Sequence, residues 1–300
     1  MLDFRVETFL AVCRHMNFTK AARELNITQP AVSHHIHYLE QAYGTALFQH
    51  NGKRLQLTEA GEILRRTLLT MKHDEQHLQK RMQQAASGTR DYSFGATLSV
   101  AEFMINEALG RFLQLHPDSH IQMQVADTKV LLSKLDSGEL DFAVVEGDFP
   151  KAEYDFFVFG TEEYVAAGDP EKAARYLGRR LTDLLVEPLL LREEGSGTRV
   201  ILEYYLKEHG LAAADFARTV EIGNIGAIKT LLKSGYGVSF LYRAAIRPEE
   251  AAGTLGVIEL SDFRLRHDIM FLFPKNSNFR ADYTAIFREL RACAEETGSA

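Results

Sequence analysis

Residues 58–86, TEAGEILRRTLLTMKHDEQHLQKRMQQAA, constrain the fold more than any other stretch. Leu64, Met71, Leu78 and Ala85 recur every seven residues, and Leu68 and Met82 fill the complementary seam with Glu75 between them. That spacing predicts one helix from about Thr58 to Ala86, roughly 40 Å long at about 1.5 Å per residue. So long a helix with a single apolar seam needs a partner. A second copy of the chain suits it best, and packing on its own domain is the alternative. Ser87-Gly88-Thr89 reads as a hinge. The helix therefore splits the 300-residue chain into a small unit before it and a larger one after it.

The small unit reads as three helices and a hairpin. Phe4, Phe9 and Val12 mark a helix over 3–15. Asn17 and Phe18 break it. A short second helix is expected from about Thr19 to Leu25, with Thr19 as its cap. Asn26 and Ile27 turn the chain. Thr28 caps the third helix, Pro30 sits harmlessly in its first turn, and Gly44 ends it. Asn51-Gly52 is a strong two-residue hairpin signal. Three helices and a hairpin make a winged helix-turn-helix.

Placed on a wheel at about 100° per residue, Val32, Ile36, Leu39 and Tyr43 form the core face of the third helix. Pro30, His34, His37 and Gln41 fall opposite. Gln29 and Ser33 take one flank and His35 the other, nearer the core. In a helix-turn-helix the outward face enters the DNA major groove. Gln29 can hold adenine with two hydrogen bonds, Ser33 can serve base or phosphate, and neutral His34 and His37 can each donate or accept one bond. Thr19 and Lys20, with Lys53 and Arg54 in the wing, are expected at phosphates, which position without specifying. Thr28, Gln29 and Pro30 open the reading helix. Histidine gains charge on mild acidification. DNA affinity is therefore expected to rise as pH falls from about 7.5 to 6, and His34→Gln to flatten the rise.

Charge is uneven along the chain. The net charge is −7. In residues 1–60, however, six cations (Arg5, Arg14, Lys20, Arg23, Lys53, Arg54) face five acids (Asp3, Glu7, Glu24, Glu40, Glu59). So few cations predict modest non-specific DNA affinity and a shallow salt dependence. Cys13 and Cys293 are the two cysteines. They carry no partner motif, which argues against a disulfide framework or cysteine zinc site and fits a reducing cytosol. MLDFRVETFL lacks the pattern of a signal peptide, and no apolar run approaches the roughly 20 residues of a membrane span. A cytoplasmic protein without membrane contact is expected.

From Tyr92 strands and helices alternate. YSFGAT, HIQMQVA, LDFAVVEG, PLLLR, RTVEIG and YGVSFLY read as strands. SVAEFMINEALGRFLQLHP, TKVLLSKLDSG, TRVILEYYLKEHG and IGAIKTLLKSG read as helices. This implies parallel sheets covered by helices on both faces. Several helix starts could hold an anion on free N–H groups. Ser99 with Glu102 fits a capping box. Gly195-Ser196-Gly197 allows close backbone approach beside the hydroxyls of Ser196 and Thr198. Asn224 sits at a strand-to-helix switch. Glu146, ending LDFAVVEG, adds an acceptor suited to an ammonium group. Such sites facing one cleft would suit a carboxylate or inorganic oxyanion, since ligands of open α/β sheets bind beyond the carboxyl ends of strands. The expected lining is Thr97, Leu98, Ser99, Val100, Thr128, Glu146, Gly147, Ser196, Gly197, Thr198, Asn224 and Ile225.

Residues 17–62, NFTKAARELNITQPAVSHHIHYLEQAYGTALFQHNGKRLQLTEAGE, resemble the N-terminal signature of LysR-type transcriptional regulators. The alanine pair, TQPAVS, the LE…G…LF segment and LTEAG match in order. The resemblance spans the chain and implies a winged helix (1–58), a linker and dimerisation helix with its hinge (59–88), and an effector-binding domain (89–300). That domain would resemble type 2 periplasmic binding proteins, with lobe I over about 89–161 and 266–300 and lobe II over about 162–265. The resemblance further implies an effector between the lobes, operator DNA as partner, a homodimer through the linker helix and assembly into tetramers. Two departures stand out: His34 and His50 replace arginines common in the family.

Two other classes compete. A solute-binding protein would not need TQPAVS. An enzyme would need a nucleophile with its base, an acid–base pair or a metal. The sequence shows no nucleophile elbow, phosphate loop or zinc spacing. His116 and His120 flank a turn, and His34 with His37 lacks a third ligand. Neither cofactor nor metal is expected.

Overall fold

The computed structural model describes residues 3–52 and 54–297. Lys53, expected at a phosphate, lies outside the described residues.

The chain opens with α1 (Phe4–His15), α2 (Phe18–Glu24) and α3 (Gln29–Tyr43), then the hairpin of β1 (Phe48–Asn51) and β2 (Arg54–Leu57). Phe9, Val12, Ala21, Val32, Ile36, Leu39 and Leu47 form their common core. Asn17 caps α2 by accepting from the Lys20 amide at 2.9 Å, so Thr19 belongs to the first turn and is not the cap. Either residue type caps well, and the extended backbone of Asn17 decides between them. Thr28 caps α3 and Gly44 ends it with φ 69°, as the sequence indicates. Tyr43 departs from the wheel: it is exposed in the last turn, beyond the core that holds Leu39. In the hairpin Asn51 pairs with Arg54.

α4 (Glu59–Ser87) runs unbroken for 29 residues between the Thr58 cap and Gly88. Leu64 and Leu68 pack into the N-terminal core. Met71, Leu78 and Met82 remain exposed. The opposite, polar face lies against the C-terminal region, so self-packing and an open apolar seam occur together. There His73 Nε2 meets the Leu140 carbonyl at 3.0 Å, and Thr70 donates to the Lys275 carbonyl at 3.0 Å. Asp74 accepts from Ser277 Oγ, the Asn278 amide and Asn278 Nδ2 at 2.5–2.9 Å. Lys80 and His77 both reach Asp141.

The C-terminal region runs β3 (Arg90–Ala96), α5 (Leu98–Phe103), α6 (Asn106–Leu115), β4 (Ser119–Val125), α7 (Thr128–Ser137), β5 (Phe142–Val145) and β6 (Tyr154–Gly168). Then come α8 (Pro170–Arg175), β7 (Pro188–Leu191), α9 (Gly197–Glu208), β8 (Arg218–Glu221), α10 (Ile225–Lys233) and β9 (Val238–Tyr242). It closes with α11 (Arg243–Ala251), β10 (Gly256–Ile258), β11 (Leu265–Pro274) and α12 (Arg280–Thr297). The single helix expected over 99–117 is two, broken at Met104-Ile105, both of which are buried in the core.

The strand order is β4-β3-β5-β11-β6-β9-β7-β8, with β10 on β6. β3 pairs in parallel with β4 and β5, and β7 with β8 and β9. The expectation of purely parallel sheets fails at the centre, where β6 and β11 run antiparallel to each other and to their neighbours. These two strands pass from one half of the region to the other. Their register shifts between Ile269 and Met270, opposite Gly160 and Val158. Such an irregularity bends a strand pair. The result is two α/β halves joined by two crossing strands.

Candidate functional site

Two places concentrate groups with few structural obligations. The first is the outer face of α3. Its inner face is tied down: His35 Nδ1 lies 2.9 Å from the Thr8 hydroxyl and its ring meets Phe4 edge-on at 4.9 Å. Burial, then the nearby Arg5 guanidinium, holds this imidazole below its ordinary value. His34 and His37 point outward and are exposed. Gln29 donates to Ser33 Oγ at 2.9 Å, and Gln41 lies 3.0 Å from His37 Nε2. These pairs hold extended polar groups on the surface, ready to exchange partners. Thr19, Lys20, Thr28, Pro30 and Arg54 are exposed around the same face.

The second is the cleft between the two halves. β3, β4, β5, β7 and β8 all deliver their carboxyl ends to it. α5, α7, α9 and α10 begin just beyond four of these ends, and Glu146 follows the fifth. Ser99 Oγ from one half touches Thr198 Oγ1 from the other at 3.0 Å. Thr97 donates its hydroxyl to Glu146 Oε2. The capping box read at Ser99 and Glu102 is absent: Thr97 is the N-cap, its hydroxyl serves Glu146, and Ser99 reaches across the cleft. Gly197 opens α9 against Glu146, and a methyl group there would lie 3.3 Å from the carboxylate. Gly147 abuts Thr128 so closely that a methyl group would come within 2.4 Å of its hydroxyl oxygen. Ser196, the N-cap of α9, is buried and makes no side-chain cap.

Not every expected lining residue converges. Val100 and Ile225 are buried in hydrophobic cores, so they offer the cleft only backbone. Leu98 is half-buried in the first turn of α5. Asn224 is exposed and caps its own helix through the Ala227 amide at 2.9 Å. Among the described residues no hydrogen bond joins it to the Thr97–Glu146–Thr198 cluster.

Other cleft residues were missed in the sequence. Tyr164 on β6 donates to the carbonyls of Thr198 and Phe240 at 2.7 and 3.1 Å, propping the start of α9. Arg192 is buried and bound to Glu193 through two bonds of 2.7 and 2.6 Å. Its place at the end of PLLLR was the available cue. A cavity of about 400 Å³ adjoins Glu146 and Gly197 and is walled by Val200, Ile201, Tyr204, Tyr205, Leu265 and His267. Burial lowers the His267 imidazole below its usual value. Larger cavities, about 570 and 660 Å³, lie where α4 meets the C-terminal region. They lack such a gathering of helix starts and hydroxyls.

Known proteins resemble the chain over nearly its whole length. Residues 86–294 match the LysR substrate binding domain, and residues 5–62 match the bacterial regulatory helix-turn-helix protein, lysR family. The RuBisCO operon transcriptional regulator of Acidithiobacillus ferrooxidans is 28% identical over 304 residues, covering 97% of this chain and 94% of that protein. Full-length LysG from Corynebacterium glutamicum, solved with bound effector Arg, superposes with a TM-score of 0.61 at 18% identity over 99% of both chains. The CcmR regulatory domain of Synechocystis in complex with 2-PG gives 0.60 at 20% identity, covering 68% of this chain and 97% of that one.

Proposed function

The chain belongs to the LysR family of DNA-binding transcriptional regulators with an effector-binding domain, and we propose that its effector is a small anion or amino-acid derivative held between the two halves of residues 89–300. The observation that carries this reading is the meeting of Thr97, Ser99, Glu146 and Thr198 at the carboxyl ends of strands from both halves. Gly147 and Gly197 admit close approach, and Thr128 and Ser196 add hydroxyls. Helix starts supply N–H groups suited to an anion. That LysG holds Arg and CcmR holds 2-PG supports these two classes.

At the other end, α3 enters the major groove. Gln29 and Ser33 trade their mutual bond for base edges, and His34 and His37 add further bonds. Thr19, Lys20, Thr28, Lys53 and Arg54 line the phosphates. Residues 1–58 act as the reading head and 59–88 as the link. The exposed stripe of Met71, Leu78 and Met82 pairs with a second copy, which suits the oligomers typical of the family. Ligand then shifts one half against the other and changes DNA geometry, which demands unequal affinity for the two states.

A thermal-shift screen of small anions and amino acids tests this. A ligand that binds only the folded chain adds about 2.7 kcal/mol at a hundred times its Kd. The hit should alter the DNA footprint of the wild type and fail to stabilise Thr198→Ile. Identical footprints with and without saturating ligand would contradict the proposal.

A further inference from the structure

In the cleft, a side chain of the protein already stands where an anion would bind. Glu146 belongs to the first half, yet its carboxylate lies over the first turn of α9 in the second, 3.3 Å from the position a Gly197 methyl would take. That turn has no side-chain cap. Glu146 is only 2% exposed. Among the described residues no Lys, Arg or His nitrogen pairs with it within 4 Å. Its bonds come from neutral groups, the Thr97 hydroxyl first, then its own backbone amide and the Ser99 hydroxyl. The Ser99–Thr198 contact closes the halves around it. A second negative charge cannot join an ionised, buried carboxylate here without strong repulsion.

Resting on the interlobe reading above, we propose that the effector is an oxyanion that enters the cleft together with one proton, shared between it and Glu146. Either the effector carries an acidic O–H that Glu146 accepts, or a protonated Glu146 donates to a fully ionised oxyanion. The proton count is the same. Burial pushes the Glu146 carboxyl up, against the pull of the Thr97 hydrogen bond and the charge of Arg192. Other titratable groups facing the site are Tyr164 on β6 and Tyr242 on β9. Asp148, Tyr204, Tyr205, Glu208 and His267 surround the adjoining cavity. The cation acting on Glu146 is Arg192, and Glu193 pairs with it.

Sulfate is the probe, because it keeps its charge throughout the range used. Titration calorimetry of the full chain with sodium sulfate, at constant ionic strength from pH 8.5 to 5.5, should show affinity rising about tenfold per pH unit while free Glu146 is ionised. Glu146→Gln, nearly isosteric, should bind sulfate with no pH dependence and more tightly than wild type at pH 8.5. A flat wild-type profile, no sulfate binding at pH 5.5, or an unchanged slope in Glu146→Gln overturns the proposal. The last result would move the proton to His267 or another group. Gly197→Val and Thr198→Ile each narrow the cleft and should abolish binding. If both keep it, sulfate sits elsewhere and the interlobe reading fails. If both lose it while the wild-type profile is flat, that reading stands and only the proton coupling falls.

Discussion

Gly61 shows how much a single atom decides. It lies in the first turn of α4, and a methyl group there would come within 2.2 Å of the Leu47 carbonyl oxygen, which is backbone and cannot swing aside. Alanine is the better helix former by about 1 kcal/mol. Overpacking should outweigh that gain, so Gly61→Ala is expected to destabilise the chain by about 1–3 kcal/mol in urea denaturation. Stabilisation would show that α4 and the Leu47 backbone are not packed this closely. At this scale, local chemistry was legible: Thr28 and Gly44 bound α3 as their residue types indicate. The errors arose where two equivalent residues competed. Asn17 and Thr19 are both good caps, and so are Thr97 and Ser99. In the second case the deciding partners, Glu146 and Thr198, lie 49 and 99 positions away.

α4 shows the same division at the scale of an element. Its apolar seam was readable because a seven-residue repeat is a local pattern. Its polar face was not, since a His or Asp facing a partner looks like one facing water. His73, Asp74 and His77 instead clamp the helix to Leu140, Asp141, Ser277 and Asn278. Likewise β6 and β11 went unread: their pairing joins segments about a hundred residues apart, and the alternation rule speaks for parallel strands alone. The clamp has a measurable consequence. Burial holds the His73 imidazole down to about 4. In the unfolded chain it takes up its proton near 6.5, so the unfolded state gains protons first as pH falls. Stability contributed by neutral His73 is therefore present above about pH 6.5, declines between 6.5 and about 4, and is then lost. The full loss is of order 3 kcal/mol. His73→Gln should flatten that decline in denaturation curves at stepped pH. An equal decline in both proteins would assign it to other groups.

Across the whole molecule, a reading head, a long helix and a two-halved sensor are joined without a slack linker, because α4 is bonded to both neighbours. Under the proposed mechanism, movement between the halves would reach the reading head through the half that grips α4 at Leu140, Asp141, Ser277 and Asn278. The apolar stripe left on α4 is expected to pair the copies: Met71→Asp with Leu78→Asp should shift sedimentation toward monomer, and an unchanged oligomer would place the interface elsewhere. Charge belongs to this scale too. Arg14 is bound by Glu24 and Arg5 by Asp3. Few cations around α3 remain for phosphates, and operator affinity should fall less steeply with salt than for a protein that neutralises ten of them. The central claim, that α3 reads DNA sequence, is tested most directly by selection from a random duplex library. The wild-type chain should enrich a discrete two-fold motif with half-sites one helical turn apart or a multiple of it. Gln29→Ala/Ser33→Ala should fail to bind that motif, while its thermal response to cleft ligands is unchanged. Enrichment of no motif, or of the same motif by the double variant, would contradict the account.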